Sequence, residues 1–314
     1  MRVLVTAAGS GPGITLIKAL RAASEFDAFV LGVDMSPRSA GLYLAHERAL
    51  VPAASDPEYA GRLLEIAREH GIGMVIPIFD TETPVLARER GAFESAGIHV
   101  AVNPLDCVLK ANDKLESWQV CEAAGIPQPR RFEHPRAAPL ESYPLLGKPL
   151  RGVGAKGIVR LEAPEDLPSR IDPAQLLWQE WVDGPEFSID TFGDPDSDRF
   201  VAAPRLRRIV KAGQMVDGET VADPELEDFA RATCRAFGAR DVCCIQVIRA
   251  RDRRLAFVEI NPRYGTGVSL SIHAGVSFPR LQWLSAYDPG AITPAMLRFR
   301  PGVGVIRYWE EIYT

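Results

Sequence analysis

Short apolar runs alternate with stretches of helical spacing through the first hundred residues. That alternation constrains the fold more than any other feature of the chain. Arg2-Val3-Leu4-Val5-Thr6 predicts a buried strand, and the turn from Ala7 to Gly13 follows it. Ile14 to Ala23 has helical spacing, and the run Ala28 to Val33 predicts a second strand that ends at Asp34. Asp56 to His70 predicts a helix with Leu63, Leu64, Ile66 and Ala67 on one face. Met74 to Ile78 predicts a further strand, leading into Phe79-Asp80-Thr81-Glu82. Strands alternating with helices in this way build a parallel, doubly wound α/β sheet. Such sheets bind ligands at the carboxyl ends of their strands, where Asp80 and Glu82 stand. The two acids either cap the helix starting near Thr83 or touch a polar substrate.

A strand, a glycine turn, a helix and an acid invite a dinucleotide reading. The glycines are Gly9, Gly11 and Gly13, spaced G-x-G-x-G, whereas the fingerprint is G-x-G-x-x-G. Pro12 also removes an N–H where a helix N-terminus would meet a pyrophosphate. The competing reading is a tight turn that closes the sheet and lines a cleft. Composition narrows the remaining classes. A net charge of −5 argues against a general nucleic-acid footprint. No apolar run approaches the roughly 18 residues of a membrane span, and Met1 to Val5 is too short for a signal peptide. Five cysteines without C-x-x-C spacing argue against a disulfide framework or zinc site, and for a reducing cytoplasm. Only six of the 36 basic residues are lysines, and Lys110, Lys114, Lys148 and Lys156 cluster in the middle of the chain.

Near Asn103-Pro104 the alternation stops. Two helical stretches follow, the second capped by Asn112-Asp113 and ended by Gly125, with Ile126-Pro127-Gln128-Pro129 as an extended exit. Tyr143 to Pro149 predicts a short strand carrying Lys148, and Arg151 to Gly157 a small-residue loop before the strand Ile158-Val159-Arg160. Bare N–H groups in such a loop can fold over an anion while Lys148 supplies charge at its root. This is not the Walker loop, because a strand rather than a helix follows it. Leu176 to Val182 and Glu186 to Asp190 predict strands joined by Asp183-Gly184-Pro185, and a strand edge beside an apolar wall can bind a purine through its backbone. Cys243 to Ile248 and Leu255 to Arg263 predict a hairpin about the charged turn Ala250 to Arg254. Glu259 and Asn261 are two apart and share a face, with Val258 and Ile260 expected on the other, and Gln246 can lie across from them. Three oxygen-bearing side chains of low total charge suit Mg²⁺ that already carries phosphates and water. Arg263, just beyond, can clamp phosphate oxygens.

In this order the elements resemble the ATP-grasp superfamily, nearest its carbamoyl-phosphate-synthase-large-subunit-like branch of stand-alone carboxylate-amine ligases. The resemblance implies a Rossmann-like pre-ATP-grasp domain (1–105), a central lobe with a glycine flap (106–176) and a C-terminal lobe with an adenine hinge and Mg²⁺ site (177–314). It implies ATP binding by Lys114, Lys148, Gly152, Gly154, Lys156, Gly157, Glu180, Trp181, Val182 and Glu186, with Glu186 on the ribose. It implies Mg²⁺, with Mn²⁺ as a substitute, on Gln246, Glu259 and Asn261. Catalytic roles fall to Arg263, Lys148 and Arg205, and substrate contacts to Asp80, Glu82, Arg205 and Arg207, since Ala203 to Arg208 resembles a Pro-Arg-x-Arg strand of small ligases. The implied reaction joins a small-molecule carboxylate and an amine through an acyl phosphate, releasing ADP and phosphate. The implied setting is cytoplasmic, with no nucleic-acid or membrane partner, and a homodimer is common in the family. The alternatives are an NAD(P)-binding oxidoreductase built on the N-terminal turn and a non-catalytic ATP-binding regulatory module.

Overall fold

A computed structural model describes residues 1–23, 27–152 and 157–313. The N-terminal sheet is parallel, in the order β3-β2-β1-β4-β5, from β1 (Arg2–Val5), β2 (Phe29–Asp34), β3 (Glu47–Leu50), β4 (Met74–Ile76) and β5 (His99–Val100). Its crossovers hold α1 (Gly11–Ala22), α2 (Ala40–Leu44), α3 (Tyr59–Glu69) and α4 (Thr83–Glu94). Both faces are covered, which is why the strands read as continuous apolar runs. Val3, Val5, Val30 and Ile76 pack with Leu16, Ile17 and Leu20 of α1. Leu4, Leu31 and Val75 pack on the opposite face with Leu63 and Ile66 of α3 and Leu86 of α4.

Two helices follow, α5 (Leu105–Asn112) and α6 (Lys114–Ala123). Asp113 caps α6 by accepting from the N–H groups of Leu115 and Glu116, and Gly125 ends the turn beyond it at φ +66°. A four-stranded antiparallel sheet, β6-β9-β7-β8, comprises β6 (Arg131–Phe132), β7 (Leu145–Pro149), β8 (Val159–Leu161) and β9 (Leu176–Glu180). A six-stranded antiparallel sheet, β14-β13-β10-β11-β12-β15, comprises β10 (Glu186–Gly193), β11 (Phe200–Lys211), β12 (Gln214–Thr220), β13 (Cys243–Arg249), β14 (Leu255–Asn261) and β15 (Gly304–Ile306). Helices α7 (Pro224–Phe237), α8 (Val268–His273) and α9 (Phe278–Tyr287) complete the chain.

One face of the six-stranded sheet is apolar. Phe187, Ile189, Cys243, Ile245, Val247, Phe257 and Ile260 pack there against Leu226, Phe229 and Phe237 of α7 and against Cys107 and Cys121. Helices α5 and α6 therefore rest on this sheet, although they lie within the expected central lobe. The chain also returns to the N-terminal sheet: Phe278 and Leu281 of α9 join the core built around α1. All five cysteines are buried free thiols. No helix among the described residues is long and apolar enough to cross a membrane.

Candidate active site

The second face of the six-stranded sheet is polar, and it floors a cavity of about 1040 Å³. Register places Glu259 beside Gln246, Gln246 beside Ser188, and Ser188 beside Arg205, so four polar side chains cross the sheet in one row. All four line the cavity, with Arg207, Cys244 and Asn261 on the same floor. A one-residue bulge makes this possible. Gln246 pairs with Glu259, but Val247 pairs with Phe257, leaving Val258 as the extra residue. The alternation expected from the sequence, Val258 and Ile260 against Glu259 and Asn261, is corrected by that bulge. Phe257 and Ile260 belong to the apolar core, and Val258, left out of that core, borders the cavity with Glu259.

Opposite this floor stands Lys148 on β7. Its neighbour Gly147 lies under the Trp178 ring, where a Cβ would sit 2.6 Å from the indole, so the strand turns Gly147 to its own core and Lys148 to the cavity. Lys148 is 7% exposed and, among the described residues, has no carboxylate within ion-pairing distance. Burial lowers its pKa to about 8, Lys114 acts in the same direction, and Glu259 and Glu186 pull it back. A buried ammonium without its own counter-ion, facing one carboxylate and two amides, suits a ligand that brings negative charge and a cation together. Lys114 Nζ donates to the Gly152 carbonyl at 3.2 Å, and its backbone N–H donates to Leu150 O at 3.0 Å. It thus ties α6 to the root of the glycine loop. Gly152 (φ +144°) and Gly157 (φ +74°) bound that loop; Gly154 and Lys156 lie outside the described residues.

The expected metal set is brought together and already wired. Asn261 Nδ2 donates to Glu259 Oε1 at 3.0 Å, and Asn261 Oδ1 accepts from Arg263 Nη2 at 3.1 Å. Gln246 Oε1 accepts from Arg207 Nη1 at 2.9 Å. Each amide oxygen keeps a second lone pair for a cation. Among the described residues no three His, Cys, Asp or Glu side chains are placed to hold a metal ion. One carboxylate with two amides is a weak cage by itself, so it fits Mg²⁺ delivered with phosphates and not a free resident ion.

The arginines are not solvated charges on a strand face. Arg205 and Asp190 are each 1% exposed in their side chains and pair at 2.6 Å, and Ser271 Oγ donates to the other Asp190 oxygen at 2.7 Å. Gly267 is packed so closely on Arg205 that a Cβ there would overlap the guanidinium. Arg207 pairs with Glu186 and donates to Gly213 O at 2.7 Å. Arg208, on the opposite side of β11, meets Asp217 and Glu219 at the surface.

One expected substrate contact is corrected. Glu82 is no substrate contact: it is buried, and its carboxylate accepts from Thr6 Oγ1, Tyr59 OH, and the N–H groups of Ile78 and Phe79. Burial pushes its pKa up and those hydrogen bonds hold it back. Glu82 instead fixes the turn that presents Asp80. Glu180, Trp181 and Val182 are not among the described residues that line the cavity. The Glu180 N–H donates to Arg130 O and the Trp181 N–H to Pro144 O, both at 3.0 Å, while the Glu180 carboxylate holds Arg254. Val182 packs against Ala250 and Ala256. Glu186 pairs with Arg207 through one carboxylate oxygen and is not among the described residues that line the cavity. Asp34, the acid of the dinucleotide reading, accepts from the N–H groups of Gly9 and Ser36. Ser39 and Gly41 of the next segment pack so closely on Gly9 and Ala8 that neither glycine has room for a Cβ. Sequence reasoning passed over Ser188, Trp118, Gln179 and the Gly265-Thr266-Gly267 loop, all of which line the cavity. Alternation along β10 was the available signal for Ser188.

A model of the PylC-like N-terminal domain matches residues 3–101, and a model of the ATP-grasp domain matches residues 111–267. A D-alanine–D-alanine ligase of Pseudomonas fluorescens (strain Pf0-1) is 26% identical over an alignment of length 201 that covers 56% of this chain and 61% of that ligase. The chain thus spans less than two thirds of the length of the curated relatives it matches. Among solved structures, biotin carboxylase from Campylobacter jejuni aligns with a TM-score of 0.72 and 14% identity, covering 95% of this chain and 73% of the other. The L-amino acid ligase from Bacillus licheniformis aligns with a TM-score of 0.71 and 17% identity, covering 95% and 77%. These likenesses extend the shared fold over almost the whole chain. With the ATP-grasp model matching half of its residues, the chain belongs to the ATP-grasp family.

Proposed function

We propose that this chain is an ATP- and Mg²⁺-dependent ligase that joins a small-molecule carboxylate to an amine and releases ADP and phosphate. The observation that carries the reading is Lys148, buried and without a carboxylate of its own, facing Glu259, Asn261 and Gln246 across the cavity. Names among the relatives support the same class, since the curated matches and one structural neighbour are amino-acid ligases.

In this reading Lys148 and Lys114 hold the phosphates. Glu259, with the Asn261 and Gln246 amide oxygens, would hold Mg²⁺, which neutralises phosphate charge when bound. A substrate carboxylate oxygen attacks the γ-phosphorus, the bond to the β-phosphate oxygen breaks, and ADP leaves. The amine nitrogen then attacks the acyl carbon, phosphate leaves, and the nitrogen loses a proton. The protein's work is to position the reactants and neutralise charge, since phosphoryl transfer asks little covalent help. Arg205 and Arg207 are each neutralised by a carboxylate, Asp190 and Glu186, but keep buried Nε–H groups without a partner among the described residues, which an anionic substrate group would satisfy. Arg263, already forked to Asp80, borders the metal residues without free charge of its own, and the cavity walls keep water from the acyl phosphate.

An ADP-release screen over carboxylate and amine panels, with oxygen-18 in the carboxylate, tests this. The expected result is ADP release that needs one carboxylate, with the label appearing in the released phosphate. ADP release without label transfer contradicts the acyl-phosphate route.

A further inference from the structure

Asp80 and Arg263 come from opposite ends of the chain and meet at the cavity wall. Asp80 follows β4 of the N-terminal sheet, and Arg263 follows β14 of the six-stranded sheet. Arg263 Nε donates to Asp80 Oδ1 at 2.6 Å and Nη2 to Oδ2 at 2.5 Å, a bidentate fork. Both side chains are mostly buried, at 15% and 11% exposure. Arg263 Nη1 donates to Tyr264 O at 2.9 Å, and Nη2 also donates to Asn261 Oδ1 at 3.1 Å. A guanidinium has five N–H groups, and these contacts engage four. Arg263 therefore cannot grip a phosphate through a second fork while Asp80 holds the first. Its contacts lead instead along one path, from Asp80 through Arg263 to the Asn261 amide, and from Asn261 Nδ2 to Glu259.

The N-terminal end of this path is itself fixed. Glu82 accepts from the N–H groups of Ile78 and Phe79 and so sets the turn that carries Asp80. Asn112 Nδ2 donates to the Asp80 carbonyl at 3.3 Å from the end of α5. Burial works against the Arg263 charge, and the adjacent Asp80 carboxylate outweighs that, so the guanidinium stays ionised.

We propose that Asp80 is a positioning residue: through Arg263 it sets the Asn261 amide and, with it, the Glu259 carboxylate in the orientation that receives Mg²⁺ with the nucleotide. Asp80 touches neither metal nor substrate in this role. The N-terminal sheet is thereby part of the metal site that the C-terminal sheet appears, by sequence, to build alone. The inference rests on the Mg·ATP reading of the site, and its test separates the two.

The test is calorimetric binding of the non-hydrolysable analogue adenylyl-imidodiphosphate, with and without Mg²⁺, to the full chain. The wild type should bind the analogue and gain affinity when Mg²⁺ is added. Asp80→Asn should keep the metal-free affinity and lose about 10- to 100-fold of the Mg²⁺-dependent gain, the usual cost of removing a group that orients a metal ligand. Arg263→Lys keeps the charge without the fork and should lose a similar gain. The double variant should be no worse than Arg263→Lys alone, because Asp80 acts only through the guanidinium. Asp80→Glu should recover part of the gain, and a thermal melt confirms that each variant is folded. Full retention of the Mg²⁺ gain in Asp80→Asn overturns the inference and leaves the site reading intact. Equal losses from Asp80→Asn in the wild-type and Arg263→Lys backgrounds also overturn it. A wild type that binds no analogue, or gains nothing from Mg²⁺, overturns the site reading itself.

Discussion

The two faces of the six-stranded sheet are made by the same strands and have opposite chemistry. Ile245 and Gln246 are neighbours on β13, yet Ile245 is buried against α7 while Gln246 lines the cavity beside Glu259 and Arg207. The apolar face needs only bulk and burial. The polar face needs each group aimed, and it obtains that aim from ion pairs, amide bridges and the bulge at Val258. Stability is therefore concentrated on one face and chemistry on the other, and variants on the two faces should fail in different ways.

The largest expected effect is on the chemical side. Lys148→Ala should lower ADP release by about 100-fold or more, the scale seen when a charge-stabilising group is removed from a transition state. Its melting temperature should hold, since the lost ammonium is poorly solvated in the fold. Next comes the neighbouring pair. Ile245→Ala should cost about 3 kcal/mol in urea unfolding. Gln246→Ala should cost less than about 1 kcal/mol and instead raise the Mg²⁺ concentration needed for turnover. Equal destabilisation by both, with an unchanged Mg²⁺ titration, would break the contrast between the faces.

A pH effect sharpens it further. Lys148 is charged below its lowered pKa of about 8, so nucleotide affinity should hold below that pH and weaken above it. Lys148→Arg keeps its charge throughout and should flatten the profile. Without ligand, the unfolded lysine holds its proton to higher pH than the folded one. The Lys148 contribution should therefore raise stability between about pH 8 and the ordinary lysine range. The smallest effect is expected from Arg208→Ala, whose surface pairs with Asp217 and Glu219 are worth at most about 1 kcal/mol and do not face the cavity.

Much of this was legible in the residues because it depends on local pattern. Alternating runs specify the parallel sheet, and the pair Glu259 and Asn261 with Gln246 opposite follows from strand geometry. Lys148 stood out in a lysine-poor chain. What escaped depends on contacts distant in sequence. Nothing near Glu82 reveals that Thr6 and Tyr59 will enclose it, so its burial and its role in the turn were invisible. Arg263 reads locally as a free cation, and only the return of the C-terminal chain to the N-terminal sheet supplies Asp80. The bulge at Val258 is equally silent, because one extra residue reverses the phase without changing composition. Trp181 reads as an open strand edge, while the Pro144 carbonyl that takes its N–H comes from another turn of the chain.

Isothermal titration of the intact chain with Mg·ATP, and separately with NADPH, tests most directly whether the polar face is a nucleotide-phosphate site. The expected result is saturable Mg·ATP binding that Glu259→Gln weakens, with no heat from NADPH. Binding of NADPH in place of Mg·ATP, or Mg·ATP binding indifferent to Glu259, would contradict it.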